Sequence, residues 1–89
     1  MKKPYAIVLK RSVLKDIRRI PQSVLSLIQD RVAALATNPF PPGAEPMYGY
    51  DHFYRLRIGS YRVVYEVAAT IRVITIVKIG HRKDVYRQV

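Results

Sequence analysis

Three arginines punctuate the stretch Tyr54-Arg55-Leu56-Arg57-Ile58-Gly59-Ser60-Tyr61-Arg62-Val63-Val64-Tyr65-Glu66, each set among apolar residues. A guanidinium group is a planar fork of N–H donors that grips phosphate through two oxygens at once and keeps its charge at any working pH. Gathered on one rigid strand pair, three such groups could hold a phosphodiester and neutralise the charge that builds during its cleavage. A second concentration of reactive types follows in Lys78, His81, Arg82, Lys83 and Tyr86. It adds an imidazole that titrates near neutral pH and a phenol. There is no cysteine, and His52 and His81 are the two histidines, too few to build a metal centre alone. No glycine-rich phosphate loop is present, which excludes the nucleotide-hydrolase readings. The chemistry therefore falls to Arg, Lys, Tyr, His and carboxylates, with no cofactor and no metal expected.

The elements that must position these groups follow from periodicity. Tyr5 to Leu9 is apolar on both faces and predicts an interior strand. Ser12 is placed to cap a short helix ending near Ile20, with Leu14, Ile17 and Val13 inward and Lys15, Arg18 and Arg19 outward. Pro21 suits the first turn of a second helix running to about Ala36, whose apolar stripe is Val24, Leu25, Ile28, Val32 and Leu35. Asn38-Pro39 stops it, because a residue before proline is driven out of the α region. Phe40 to Pro46, rich in proline, reads as a stiff connecting loop. Three strands complete the chain at Phe53 to Ile58, Tyr61 to Val67 and Ile71 to Ile79. The expected fold is a single α+β domain over residues 1–89, with an N-terminal strand, a helical hairpin and a three-strand antiparallel meander forming one sheet.

Gly59-Ser60 is a two-residue link of the type II′ hairpin kind, and it fixes a register. Ile58 pairs with Tyr61, so Arg57 faces Arg62, Leu56 faces Val63, Arg55 faces Val64 and Tyr54 faces Tyr65. One face then carries Tyr54, Leu56, Ile58, Tyr61, Val63 and Tyr65 as core. The other carries Phe53, Arg55, Arg57, Arg62, Val64 and Glu66. Like charges directly opposed destabilise a sheet by about 0.2–1 kcal/mol, a conflict that a bound anion would resolve. Extending the register through the turn at Ala68-Ala69-Thr70 sets Ile74, Ile76 and Lys78 on the arginine face, with Gly80-His81-Arg82 and Tyr86 emerging beside Arg57 and Arg62. A competing reading stays open, since arginines on a strongly basic chain also cluster by chance and alternating charge discourages edge-to-edge aggregation. Taken singly, His81 is more often a surface or capping histidine than a catalyst and Tyr86 more often a tail anchor, while Lys78 also reads as a solvated strand residue and Glu66 as a counter-charge to Arg62.

Composition favours a polyanionic partner. Sixteen Lys and Arg against six Asp and Glu leave a net charge of +10 on 89 residues. Clustered cations bind phosphate backbones by releasing condensed counterions, so nucleic acid, a ribosome or an acidic protein is the natural partner. No apolar run is long enough to span a membrane, and Met1-Lys2-Lys3-Pro4-Tyr5 leads into a strand rather than a signal sequence. The expected compartment is the cytoplasm, with no membrane association.

The arginine stretch and Val77-Lys78-Ile79-Gly80-His81-Arg82-Lys83-Asp84-Val85-Tyr86 together resemble the two signature stretches of the RelE/ParE toxin superfamily, specifically its RelE-like mRNA interferases. Leu14 to Pro21 and Asn38-Pro39 match that family's helical hairpin, so the similarity spans nearly the whole chain. The resemblance implies a small microbial RNase-type fold, a type II toxin, and cleavage of mRNA in the ribosomal A site by attack of a ribose 2′-hydroxyl on the adjacent phosphate. It implies as partners the 70S ribosome with its mRNA and a RelB-like antitoxin. Arg55 and Arg57 match two basic catalytic positions that are commonly lysine, Arg62 and Arg82 match two catalytic arginines, and Tyr86 matches a terminal tyrosine. Arg55, Arg57, Lys78 and Lys83 are the candidate RNA contacts. Arginine cannot give up its proton, which makes Arg55 and Arg57 phosphate clamps and leaves His81 the first candidate acid or base, with Glu66 and Tyr86 behind it. Two alternatives share this pattern: a ParE-like toxin that poisons DNA gyrase without cutting RNA, and a basic RNA- or ribosome-binding module.

Overall fold

A computed structural model describes residues 3–81. Arg82, Lys83 and Tyr86, and with them the tail expected beside the hairpin, lie outside the described residues. The elements run β1 (Ala6–Leu9), α1 (Arg11–Arg18), α2 (Gln22–Ala34), β2 (Ala44–Pro46), β3 (Phe53–Ile58), β4 (Tyr61–Ala68) and β5 (Val73–His81). Five strands form one sheet in the order β1-β5-β4-β3-β2, with the helical hairpin packed on one side. The α+β class and the antiparallel meander are those expected from periodicity. Among the described residues no helix is long and apolar enough to cross a membrane.

Where the architecture departs from the sequence reading, a local reason is visible. β1 pairs with β5 in parallel and lies at the sheet edge, so Val8 and Leu9 are exposed rather than interior. The proline-rich connection contains β2, which pairs Ala44 with Leu56, Glu45 with Arg55 and Pro46 with Tyr54. Proline is tolerated there because the opposite side of β2 is an edge that asks for no donor. In α1 and the residues just after it the inward stripe is Val13, the partly buried Ile17 and Ile20, recurring at i, i+4 and i+7, and Leu14 falls one step off it and is half exposed. Lys10, not Ser12, occupies the N-cap, and no side chain bonds there. Pro21 is the N-cap of α2, its carbonyl accepting the Val24 and Leu25 N–H groups.

The core forms where Val13 and the α2 stripe Leu25, Ile28 and Val32, followed by Leu35, meet Leu56, Ile58, Val63 and Tyr65 of the sheet. Burying one such aliphatic side chain stabilises the fold by roughly 1.5–3 kcal/mol. Tyr65 also ties the segment after α2 to the sheet, since its hydroxyl donates to the Pro39 carbonyl at 2.7 Å. Its ring stacks on Tyr54, which in turn meets Phe40 edge-on. Burial, with a smaller contribution from the neighbouring Tyr54 phenol, pushes the Tyr65 hydroxyl up to about 12.

The last strand decides which groups reach the arginine face. Residues 69–72 make a longer turn than expected, with Arg72 in the left-handed region at φ +54°. Pairing therefore starts at Ala68 with Val73 and sets Ile74 and Ile76 opposite Val67 and Tyr65, fully buried in the core. A bulge then shifts the register between the Val64 and Tyr65 pairs, leaving Val77 the extra residue. Beyond it Lys78 faces Val64, Ile79 faces Val63, Gly80 faces Arg62 and His81 faces Tyr61. The placement of Ile74 and Ile76 on the arginine face is thus corrected, whereas Lys78 does share that face, beside Val64.

Candidate nucleic-acid interface

The β3–β4 hairpin has the register its two-residue turn demands, from Ile58 opposite Tyr61 to Phe53 opposite Glu66. Gly59 sits at φ +59° while Ser60 stays out of the positive region, the combination a type II′ turn requires. Side chains opposed across strands share a face, so the side of the sheet away from the helices is built in rows. Arg57, Arg62 and Gly80 form the row nearest the turn; Arg55, Val64 and Lys78 form the next; Phe53, Glu66 and Thr75 form the third.

Arg57 and Arg62 are opposed across the hairpin but differ in exposure and bonding. Arg57 is exposed to solvent, whereas Arg62 is only 6% exposed and folds back onto the turn. Its Nη1 donates to the Tyr61 carbonyl at 3.1 Å and, more weakly, to the Gly59 carbonyl at 3.4 Å. Both bonds use one terminal nitrogen of a group that has five N–H donors, and both acceptors are neutral. The side chain is thereby fixed while its positive charge persists.

The other cations of this face are engaged differently. Arg55 lies 3.8 Å from Glu45 on the neighbouring strand, a long and partly exposed ion pair. Lys78 donates from Nζ to Asp16 Oδ1 at 2.9 Å, and both side chains are largely buried. The second oxygen of Asp16 accepts the Ile79 N–H at 3.1 Å, so α1 closes the edge of β5 where β1 has ended. Glu66 lies opposite Phe53 and Thr75, two rows from Arg62, and no ion pair joins the two among the described residues. His81 shares the face of Tyr61, whose ring it meets edge-on at 5.7 Å, rather than the face of Arg57 and Arg62. It still stands next to Gly80, at the same end of the sheet as Arg62. Its side follows from the alternation that runs on from Lys78 through Gly80.

Two features escaped the sequence reading. Asp16 is one, a carboxylate on the inward-leaning side of a basic helix, and its isolation among Lys15, Arg18 and Arg19 was the available signal. The other is the segment 47–53, which carries Met47, Tyr48, Tyr50, His52 and Phe53. It borders a cleft of about 470 Å³ lined by Met47, Tyr50, Phe53, Val64, Lys10 and Lys78 among others, next to the arginine rows. The dense aromatics there were the legible sign. Among the described residues no cluster of His, Asp and Glu could hold a metal.

Comparison with known proteins places this geometry in context. Residues 7–86 match the family model described as the ParE toxin of the type II toxin–antitoxin system, parDE. The RelE1 toxin candidate of Methanocaldococcus jannaschii is 35% identical over 86 residues, covering 93% of this chain and 96% of that protein. The toxin RelG of Mycobacterium tuberculosis is 22% identical over 86 residues, 96% of this chain and 99% of that protein. Among solved structures, the archaeal RelE–RelB complex from Pyrococcus horikoshii OT3 has a chain that matches with a TM-score of 0.79 at 26% identity, over 89% of this chain and 96% of that one. A free Escherichia coli toxin RelE with two arginines mutated to alanine matches with a TM-score of 0.80 at 20% identity, over 96% and 93% of the two chains.

Proposed function

The chain belongs to the RelE/ParE family of type II toxin–antitoxin toxins, and from that membership we propose that it is a ribosome-dependent endoribonuclease that cuts mRNA in the A site. The observation that carries this reading is Arg62, buried on the turn, paired with no carboxylate among the described residues and opposed to a solvent-facing Arg57. In the reaction the ribose 2′-oxygen attacks the neighbouring phosphorus and the bond to the 5′-oxygen breaks. Negative charge grows on the non-bridging oxygens, where a preorganised guanidinium is most effective. The 2′-hydroxyl proton must leave and the departing 5′-oxygen must gain one. Arg55, Arg57 and Arg62 cannot perform either transfer, so they clamp and stabilise. His81, one residue from the Arg62 row, is the candidate acid or base, and Arg82 and Tyr86 follow it in sequence as further candidates. Arg55, Arg57, Lys78 and Lys83 are the proposed RNA contacts, with Lys78 acting from its bond to Asp16. Positioning by the ribosome supplies the alignment that these groups alone do not.

The partner that restrains it is a RelB-like antitoxin in the cytoplasm, a reading favoured by the RelE–RelB complexes among the related structures and by the charge of +10. A second reading, poisoning of DNA gyrase, is favoured by the ParE name of the matching family model. Programmed ribosomes separate the two. The wild-type protein should cut bound message within a codon, and Arg62→Ala should cut it about 10- to 150-fold more slowly, as expected for one lost charge-assisted contact. Equal cleavage by both proteins would remove Arg62 from the site. Intact message together with broken chromosomal DNA in expressing cells would favour gyrase.

A further inference from the structure

We propose that the cleft between segment 47–53 and the arginine face of the sheet is a nucleobase subsite, taking one unstacked base of the RNA strand whose phosphate lies on Arg57 and Arg62. The proposal rests on the nuclease reading above and adds to it a place for the base. Three observations converge. The cleft's floor is Val64, which stands in the same row as Arg55 and one row from Arg57 and Arg62. Adjacent rows of one face are two residues apart along a strand, about 7 Å, a span comparable to that from a phosphate to the base of its own nucleotide.

The walls suit a flat π-system. Tyr50 and Phe53 hold their rings 6.3 Å apart at 69°, so their planes form a corner in which a base laid on one ring meets the other. Met47 adds a polarisable thioether to the same wall. Lys10 and Ser12 also stand on the cleft's lining with Lys78, whose charge is paired with Asp16, so Lys10 supplies the cation and Ser12 a hydroxyl beside the apolar wall. A largely apolar hollow with Lys10 at its rim, beside three arginines, fits a nucleotide better than an apolar protein side chain, which would gain nothing from the arginine rows.

The loop is also fixed before any ligand arrives. The Met47 N–H donates to the Phe53 carbonyl at 2.9 Å, the Tyr50 N–H to the Met47 carbonyl at 3.2 Å, and the Val67 N–H to the His52 carbonyl at 2.9 Å. Tyr50 is half exposed, so its ring is presented to solvent on a closed loop rather than spent in the core. A stacking platform already in place loses little freedom on binding. Because every base has a π face, the subsite tolerates sequence and would set reading position more than codon identity.

The test uses full-length protein on ribosomes programmed with a message whose 2′-hydroxyl at the cleavage point is methylated, carrying 2-aminopurine at each A-site position in turn. Stacking quenches the probe, so one position should darken with wild-type protein. Tyr50→Ala should abolish that quench and weaken binding about five- to a hundredfold, and Tyr50→Phe should keep both. Unchanged thermal melting of Tyr50→Ala verifies that the fold is intact. If the wild type cuts unmodified message but no position is quenched, or Tyr50→Ala quenches like the wild type, the subsite is overturned and the nuclease reading survives. If nothing is cut but a free 2-aminopurine oligonucleotide is quenched by the wild type and not by Tyr50→Ala, the subsite survives and the nuclease reading falls. A Tyr50→Ala protein unaltered toward RNA but weakened toward an acidic antitoxin peptide would assign the cleft to a protein partner and overturn the proposal.

Discussion

Arg62 and Lys78 lie one row apart on the same face of the sheet, and their partners set them to different uses. Arg62 rests on two backbone carbonyls, neutral dipoles that orient a guanidinium without cancelling its charge. Lys78 is bonded to the carboxylate of Asp16, which cancels it. Among the described residues the turn end of the hairpin therefore keeps a positive charge, which on the proposed nuclease reading would meet the phosphate. The corner of α1 and β5 is a clamp that holds a helix to the open edge of a strand. Membership in a basic cluster says little about function until the partner of each cation is known.

The sharpest way to break this contrast is Asp16→Ala. Removing the carboxylate leaves a largely buried Lys78 without its counter-charge and the Ile79 N–H without its acceptor, and should destabilise the fold by about 2–4 kcal/mol in urea unfolding. Arg62→Ala should cost less stability than that and more activity. If the two variants unfold at the same urea concentration, the division into clamp and site fails.

Tyr65 extends the comparison to an uncharged buried polar group. Its hydroxyl, ordinarily near 10, is raised to about 12 in the folded protein. Below pH 10 both folded and unfolded chains keep the proton, and the full stability is present. Between about 10 and 12 the unfolded chain loses its proton first, so stability falls by roughly 2–3 kcal/mol across that window. Tyr65→Phe should flatten this slope, as read from urea midpoints at stepped pH. A slope unchanged in that variant would assign it to other groups.

The smallest expected effect concerns Glu45. Its pair with Arg55 is 3.8 Å long, with both side chains substantially exposed, so Glu45→Gln should change stability by no more than about 0.5 kcal/mol. A loss of several times that amount would show Arg55 to be clamped as Lys78 is.

How much of this was legible in the residues depended on how local each cause was. The hairpin register followed from Gly59-Ser60 alone, because a two-residue turn leaves one way to pair the strands beside it. The α2 stripe followed from spacing, because a helix writes its own period into its sequence. By contrast β2 was hidden by Pro46 and the prolines that precede it, since a strand paired on one side only needs less of the backbone than composition suggests. The side of Ile74 and Ile76 was hidden by the longer turn at 69–72, because the length of a turn sets which face every later side chain of the strand takes.

Alternation of apolar and basic residues around a tight turn was enough, without any structure, to bring the three arginines to one side of a sheet, since that geometry is encoded within a dozen neighbouring residues. Sequence could not say which cation would be quenched, because Asp16 meets Lys78 across 62 positions of chain. Nor could it say that segment 47–53 would wall a cleft over Val64. Those outcomes depend on how separately formed elements dock, and docking is settled by the packing of the whole core.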